Sequence, residues 1–279
     1  MTEPSKAVLI TGCSTGIGYA TAERLATKGH TVYASARKPE TLTGLKGCRT
    51  LALDVTDEES MAAAVAQVEA EEGAVDVLVN NAGYSQSGAL ETLPLESIRK
   101  QFETNVFGLI RLSQLVLPGM REAGGGRIVN IGSMGGKLTF PGGGVYHATK
   151  YAVEAISDAM RFEVQGFNVQ VVLIEPGLIT TDFAKTAVAS VDNVDDHGPY
   201  AKFNHVVGNA TEGVYSGPMA KLGGGPDSVA KVIEKVIDAR RPRPRYTVTP
   251  SAKLAIAQRR LTPDRVWDLA MRSTFPVPK

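Results

Sequence analysis

The sequence predicts an α/β fold, one open, doubly wound parallel sheet with helices on both faces. Three observations carry that prediction. Short apolar runs rich in β-branched residues recur along the chain, each followed by a segment with helical spacing. The runs do not alternate polar and apolar: "VQVVLIEP" is nearly all apolar, as a parallel strand needs when helices cover both of its faces. The first run also leads directly into a glycine-rich turn that opens a helix.

Taken in order, strands are expected over residues 7–10, 31–35, 50–53, 75–79, 127–131 and 169–175, with helices between most of them. Ligands of such sheets bind outside the carboxyl ends of the strands, so functional residues should follow these runs. Between Asp182 and Pro226 the rhythm breaks. Gly208, Gly213, Gly217 and Gly223 to Gly225 alternate there with Phe183, Tyr200, Phe203, Val206, Val207, Tyr215 and Met219. This stretch is expected to be a long loop serving as a lid or mobile segment. After helical "PDSVAKVIEKVIDARR", the prolines of "RPRPRYTVTP" set an extended connection that leads to a last strand at 246–248. No low-complexity linker and no internal repeat divides the 279 residues, which are expected to form one domain, with an insertion at about 183–225 and a C-terminal extension at about 241–279.

Composition narrows the function. Hydrophobic residues at 43% and charged residues at 21% are ordinary globular values. With 30 Lys and Arg against 29 Asp and Glu there is no net field to hold nucleic acid or an acidic membrane surface. The arginines at 240, 241, 243 and 245 are expected to line a solvated connection and not a site for nucleic acid or an acidic surface. Cys13 and Cys48 make neither a disulfide framework nor a ligand pair, which fits a reducing cytoplasm. His30, His147, His197 and His205 lack metal-ligand spacing, and "DDH" at 195–197 is expected to be solvated, so no metal is implied. The opening "MTEPSKAVLITG" has too short an apolar run for a signal peptide or a membrane span.

"TGCSTGIG", from Thr11 to Gly18, follows the first strand and opens a helix. Gly12, Gly16 and Gly18 let the chain approach a pyrophosphate closely, and the first helical amides supply an anion site. The spacing G-x-x-x-G-x-G resembles that of the short-chain dehydrogenase/reductase family. So do "NNAG" at 80–83, Gly132 and Ser133 after the fifth strand, Tyr146 and Lys150 in "YHATK", and "PGLITT" at 176–181. These marks span about two thirds of the chain in the family's order.

That resemblance implies a NAD(P)-binding Rossmann domain and assigns residues. Gly12, Ser14, Thr15, Gly16, Ile17 and Gly18 would contact the cofactor, Asp54 and Val55 its adenine, and Asn81, Ala82 and Gly83 the adenosine ribose side. Pro176, Gly177, Ile179 and Thr181 would hold the nicotinamide carboxamide. An acid at 54 could instead cap the helix begun in "TDEESM". Where NAD-preferring relatives carry an acid after the second strand, this chain has Ala36, then Arg37 and Lys38. A guanidinium there can grip a phosphate, which favours NADP(H) over NAD(H).

At the chemical end, a phenol titrates near 10 and releases its proton poorly at neutral pH. Residues four apart share a helix face, so the Lys150 ammonium can lie beside Tyr146 and favour the phenolate, and the oxidised nicotinamide ring would add a second positive charge. Bringing the phenol close to neutrality takes roughly 4 kcal/mol of differential interaction. By the resemblance, Tyr146 is the general acid and base, Ser133 hydrogen-bonds the same substrate oxygen, and Asn105 in "FETNVFGL" holds a water that links Lys150 to solvent. "IGSMG" lacks the first glycine of a hydrolase elbow.

Tyr84, Leu138, Phe140 and the apolar residues of the insertion could wall a lipophilic pocket, or the insertion could pack on another subunit. Length, Arg37 and the tail look most like the branch of hydroxysteroid and retinol dehydrogenases, which implies a secondary alcohol or ketone on a lipophilic body. Relatives usually form dimers or tetramers through the helices bearing Asn105 and Tyr146; here "LIRLSQLVLPGM" is amphipathic and suits the core equally well. The rival from another class is a non-catalytic dinucleotide-sensing regulator with the same fold.

Overall fold

The computed structural model describes residues 5–191 and 198–278. Seven strands form one parallel sheet in the order β3-β2-β1-β4-β5-β6-β7. They are β1 Ala7–Ile10, β2 Thr31–Ala36, β3 Cys48–Ala52, β4 Val77–Asn80, β5 Gly126–Ile131, β6 Val169–Glu175 and β7 Arg245–Thr247. The order reverses between β1 and β4, which opens a crevice at their carboxyl ends.

Alternation explains the wholly apolar strands. Val8 and Ile10 point to a layer completed by α1 (Gly16–Thr27) and, from late in the chain, α8 (Pro226–Asp238), with Leu25, Val229, Ile233 and Val236 packed against them. Leu9 between them points the other way, toward α2 (Glu58–Glu72) and α4 (Gly108–Glu122), and meets Met61, Val65, Leu112 and Val116. Each such burial stabilises by about 1.5–3 kcal/mol. α5 (Gly144–Glu163) joins this second layer through Met160, and the short α3 (Leu95–Phe102) precedes a π-helical turn at Glu103–Phe107. β4 starts two residues later than expected; Asp76 just before it accepts a hydrogen bond from the Ala7 amide at 2.8 Å.

The stretch read as a long loop is largely helical. It forms α6 (Phe183–Val191) and α7 (Ala201–Ser216). Gly208 and Gly213 sit inside α7 with open space where a Cβ would project. Their cost of about 1 kcal/mol each is offset by burial of Phe203 and Val207 against Ala89 and Phe275. The "DDH" segment at 195–197 lies outside the described residues.

After β7 the chain adds two helices that the sequence reading did not foresee, α9 (Pro250–Leu261) and α10 (Asp264–Thr274). Arg245 turns inward from β7 and pairs with Glu154, Asp158 and Glu175 at 2.9–3.0 Å, so this member of the arginine run is not part of a solvated connection. Among the described residues no helix is long and apolar enough to cross a membrane, and no group of three or more His, Cys, Asp or Glu could hold a metal ion.

Candidate active site

A cleft of about 1040 Å³ runs along the carboxyl ends of the strands. At one end lies the β1–α1 turn. Thr11 and Asn81 lock it to the end of β4: the Thr11 hydroxyl accepts from the Asn81 and Ala82 amides at 3.0 and 2.9 Å, and Asn81 Nδ2 donates to the Thr11 and Gly12 carbonyls at 2.8 and 3.1 Å. Gly12 and Gly16 have φ of +69° and +62°, angles that favour glycine. Gly18 is required for a different reason, since a Cβ there would stand 2.3 Å from the Gly12 carbonyl oxygen. α1 opens at Thr15 with no side-chain cap and no acid in its first turn, so its leading amides and positive pole face the cleft. A glycine turn held this tightly over an uncapped helix fits a pyrophosphate.

Most residues singled out from the sequence meet in this cleft. Ser14, Thr15, Gly16, Ile17, Arg37, Asp54, Val55, Asn81, Ala82 and Gly83 line one part, and Ser133, Tyr146, Lys150, Pro176, Gly177, Ile179 and Thr181 another. Gly18, Lys38 and Asn105 do not line it. Gly18 sits behind Gly12, Lys38 is exposed outside the rim, and Asn105 is buried beneath. Arg37 is exposed at the end of β2 and opposes the upward push of burial on the Tyr84 phenol. Asp54 does not cap α2; its carboxylate takes the Thr56 amide and hydroxyl at 2.9 and 2.8 Å, while Asp57 is the cap.

At the other end, Tyr146 lies in the first turn of α5 and Lys150 one turn on. Ser133 Oγ accepts from the Gly135 amide at 3.0 Å and is hydrogen-bonded to the Tyr146 hydroxyl. Lys150 is buried; its Nζ donates to the Ile131 carbonyl at 2.8 Å and stands 5.9 Å from the centre of the Tyr146 ring. Burial lowers its pKa from 10.5 to about 8. The expected acidification needs two cations, the Lys150 ammonium and the oxidised nicotinamide ring, and the protein's own residues do not supply it. Burial pushes the phenol up, and the hydrogen bond from Ser133 opposes it only in part. Asn105 sits in the π-helical turn, its Oδ1 accepting from the Tyr84 amide at 3.1 Å and its Nδ2 donating to the Tyr84 carbonyl and Thr149 Oγ1 at 2.9 and 3.1 Å.

His147, Trp267, Met271 and Phe275 line the cleft and escaped the sequence reading, whereas Phe183, Val207 and Tyr215 are insertion residues that line it as expected. His147 accepts from the Phe140 amide at Nε2, 3.2 Å, which leaves Nδ1 to donate to the Gly135 carbonyl at 3.0 Å; burial keeps its pKa low and the ring neutral. It thus braces the segment after Ser133 from both ends. Phe183 of α6 lies 5.4 Å from the Tyr146 ring, and Trp267 of α10 lies 5.9 Å from Phe140. Val207, Tyr215, Met271 and Phe275 extend this apolar wall. Tyr84 and Phe140 belong to it as expected, whereas Leu138 is wholly buried behind it. The signal for α10 was available in the spacing of Trp267, Met271 and Phe275, one helical turn apart.

Residues 6–192 match the family described as short chain dehydrogenase. The chain is 44% identical over 176 residues to a 3-ketodihydrosphingosine reductase of Bacteroides thetaiotaomicron, a match covering 63% of this chain and 65% of that one. It is 34% identical to an NADPH-dependent 3-dehydrocapnine reductase of Ornithobacterium rhinotracheale, over 93% of this chain and 94% of that one. Among solved structures it is similar to a short-chain dehydrogenase from Streptomyces avermitilis, with a TM-score of 0.79 and 33% identity over 97% of this chain and 99% of that one.

Proposed function

From the premise that the chain belongs to the short-chain dehydrogenase/reductase family of oxidoreductases, we propose that it interconverts a secondary alcohol and a ketone on a lipophilic body, using NADP(H). The observation that carries this reading is the Ser133–Tyr146 hydrogen bond, with buried Lys150 beside it, at the junction of the glycine-turn end and the apolar end of one cleft. Two relatives named as reductases, one of them NADPH-dependent, support the same direction.

When bound, the nicotinamide supplies or takes up hydride, and its oxidised ring carries a positive charge. The chain's own residues handle the proton. The Ser133 and Tyr146 hydroxyls converge on one substrate oxygen; Ser133 donates to it as charge grows, and Tyr146 delivers the proton that completes the alcohol. The Lys150 ammonium, anchored on the Ile131 carbonyl, stabilises the phenolate left behind. Asn105 has both amide hydrogens committed to Tyr84 and Thr149, so it fixes α5 against the segment after β4, and a water that it holds would donate to the second lone pair of Oδ1 or to its main-chain carbonyl. Gly12, Ser14, Thr15, Gly16 and Ile17, with Asn81, Ala82 and Gly83, bind the dinucleotide, Gly18 allowing the turn to close behind them, with Asp54 and Val55 at the adenine and Pro176, Gly177, Ile179 and Thr181 at the carboxamide. Arg37 grips the phosphate that distinguishes NADP, with Lys38 adding charge nearby.

We take the whole chain as one domain, assembled as a dimer or tetramer through the outer faces of the π-helical turn, α4 and α5, where Phe107, Tyr151 and Phe162 are exposed. The test is a panel of steroid, retinoid and aryl ketones offered with NADPH and with NADH. Cofactor oxidation with NADPH on apolar ketones is expected, and none across the panel would overturn the reading.

A further inference from the structure

The end of the chain differs in charge from the rest. Residues 240–279 carry ten Lys and Arg against two acids, Asp264 and Asp268, whereas residues 1–239 carry 20 basic and 27 acidic side chains. Part of this charge is spent internally, on the Arg245 ion pairs and on the pair of Arg259 with Asp264. Lys253, Arg260, Arg265 and Arg272 make no ion pair among the described residues and are exposed.

These cations share their helix faces with uncovered apolar side chains. On α9, Leu254 and Leu261 lie two turns apart on one stripe and are 53% and 82% exposed, with Lys253 and Arg260 along its edge. On α10, Val266 and Leu269 are 53% and 64% exposed, and Leu269 shares a face with Arg265 and Arg272. The cleft is lined by the flank of α9 next to this stripe, through Ser251, Ala255 and Gln258, and by the other side of α10, through Trp267 and Met271. The surface therefore sits at the cleft's rim.

We propose that the outer face of α9 and α10 is a peripheral docking site for an anionic lipid bilayer, which sets the mouth of the cleft against the headgroup boundary. Leucine and valine interleaved with unpaired arginine and lysine match both layers of such a surface, acyl chains below and phosphates above. A second copy of the chain fits less well, because its acids would have to meet four separate cations in fixed geometry while burying the leucines. The docking does not depend on which carbonyl is reduced.

The test is co-sedimentation of the full chain with phosphatidylcholine vesicles, with and without about one third phosphatidylglycerol. Binding to the anionic vesicles, lost in high salt, is expected. The paired changes R265E with R272E, and separately L261E with L269E, should each lower partitioning at least about tenfold. Neither pair should alter the mass in analytical ultracentrifugation. Equal affinity for neutral and anionic vesicles, no binding to either, or a change of mass in the variants would overturn the proposal. NADPH oxidation with a short water-soluble ketone, read alongside, should be equal in all forms; its absence in the unaltered protein would count against the reductase reading and leave the docking result standing.

Discussion

Gly18→Ala adds a single methyl group at the place where the turn has least room. The new carbon would stand 2.3 Å from the Gly12 carbonyl oxygen and 2.6 Å from Asn81 Nδ2, well inside contact distance. The turn is close-packed on its other side too, since even a Cβ on Gly12 would stand only 3.0 Å from the Ala82 backbone. Nor is Asn81 free, being committed to the Thr11 and Gly12 carbonyls. The turn must therefore shift by close to 1 Å, at a cost of about 1–3 kcal/mol in overpacking. Most of that cost should fall on the amides that face the pyrophosphate, raising the NADPH dissociation constant by roughly 10- to 100-fold. Calorimetric titration reads this directly. Gly208→Ala is the control, since a Cβ there meets nothing within 4 Å and should stabilise α7 by about 0.5–1 kcal/mol with cofactor affinity unchanged. If Gly18→Ala binds NADPH within twofold of the unaltered protein, the close-approach argument for the turn is wrong.

Other predictions follow from the same cleft. Arg37→Asp replaces a phosphate partner with a like charge at an exposed position, so the ratio of NADPH to NADH affinity should fall about 10- to 100-fold; an unchanged ratio would remove Arg37 from the cofactor assignment. Lys150 makes stability depend on pH. In the unfolded chain the amine keeps its proton up to 10.5, in the fold only up to about 8, so between those values the unfolded state binds more protons and stability rises with pH. The gain across the window is about 3 kcal/mol, and below it the penalty of the buried ammonium is fully present. Urea midpoints measured across that window should climb in the unaltered protein more steeply than in Lys150→Met, and parallel slopes would show that the amine is not desolvated as described.

The frame was legible because burial on both faces writes itself into sequence as unbroken apolar runs. Val8, Leu9 and Ile10 alternate in space between two helical layers, and all three must be apolar. The glycine turn and the Tyr146–Lys150 pair were equally legible, since backbone angle, close approach and helical spacing are local constraints. What the sequence concealed depends on distant contacts. α7 carries two glycines and reads as a loop until Phe203 and Val207 find Ala89 and Phe275. α10 buries none of its residues fully, and Trp267 gains its place only by meeting Phe140 across the cleft. The opposition between burial and the Ser133 hydrogen bond at Tyr146 was also out of reach, because spacing shows that a lysine is near but not how much water has left.

That opposition defines the decisive measurement, an NMR titration of isotope-labelled Tyr146 with and without NADP⁺. The account predicts a phenol that ionises above its ordinary value in the free protein and falls toward neutrality when the oxidised cofactor binds, with the fall largely lost in Lys150→Met. A phenol that titrates at the same pH in both states, or falls equally without the lysine, would contradict it.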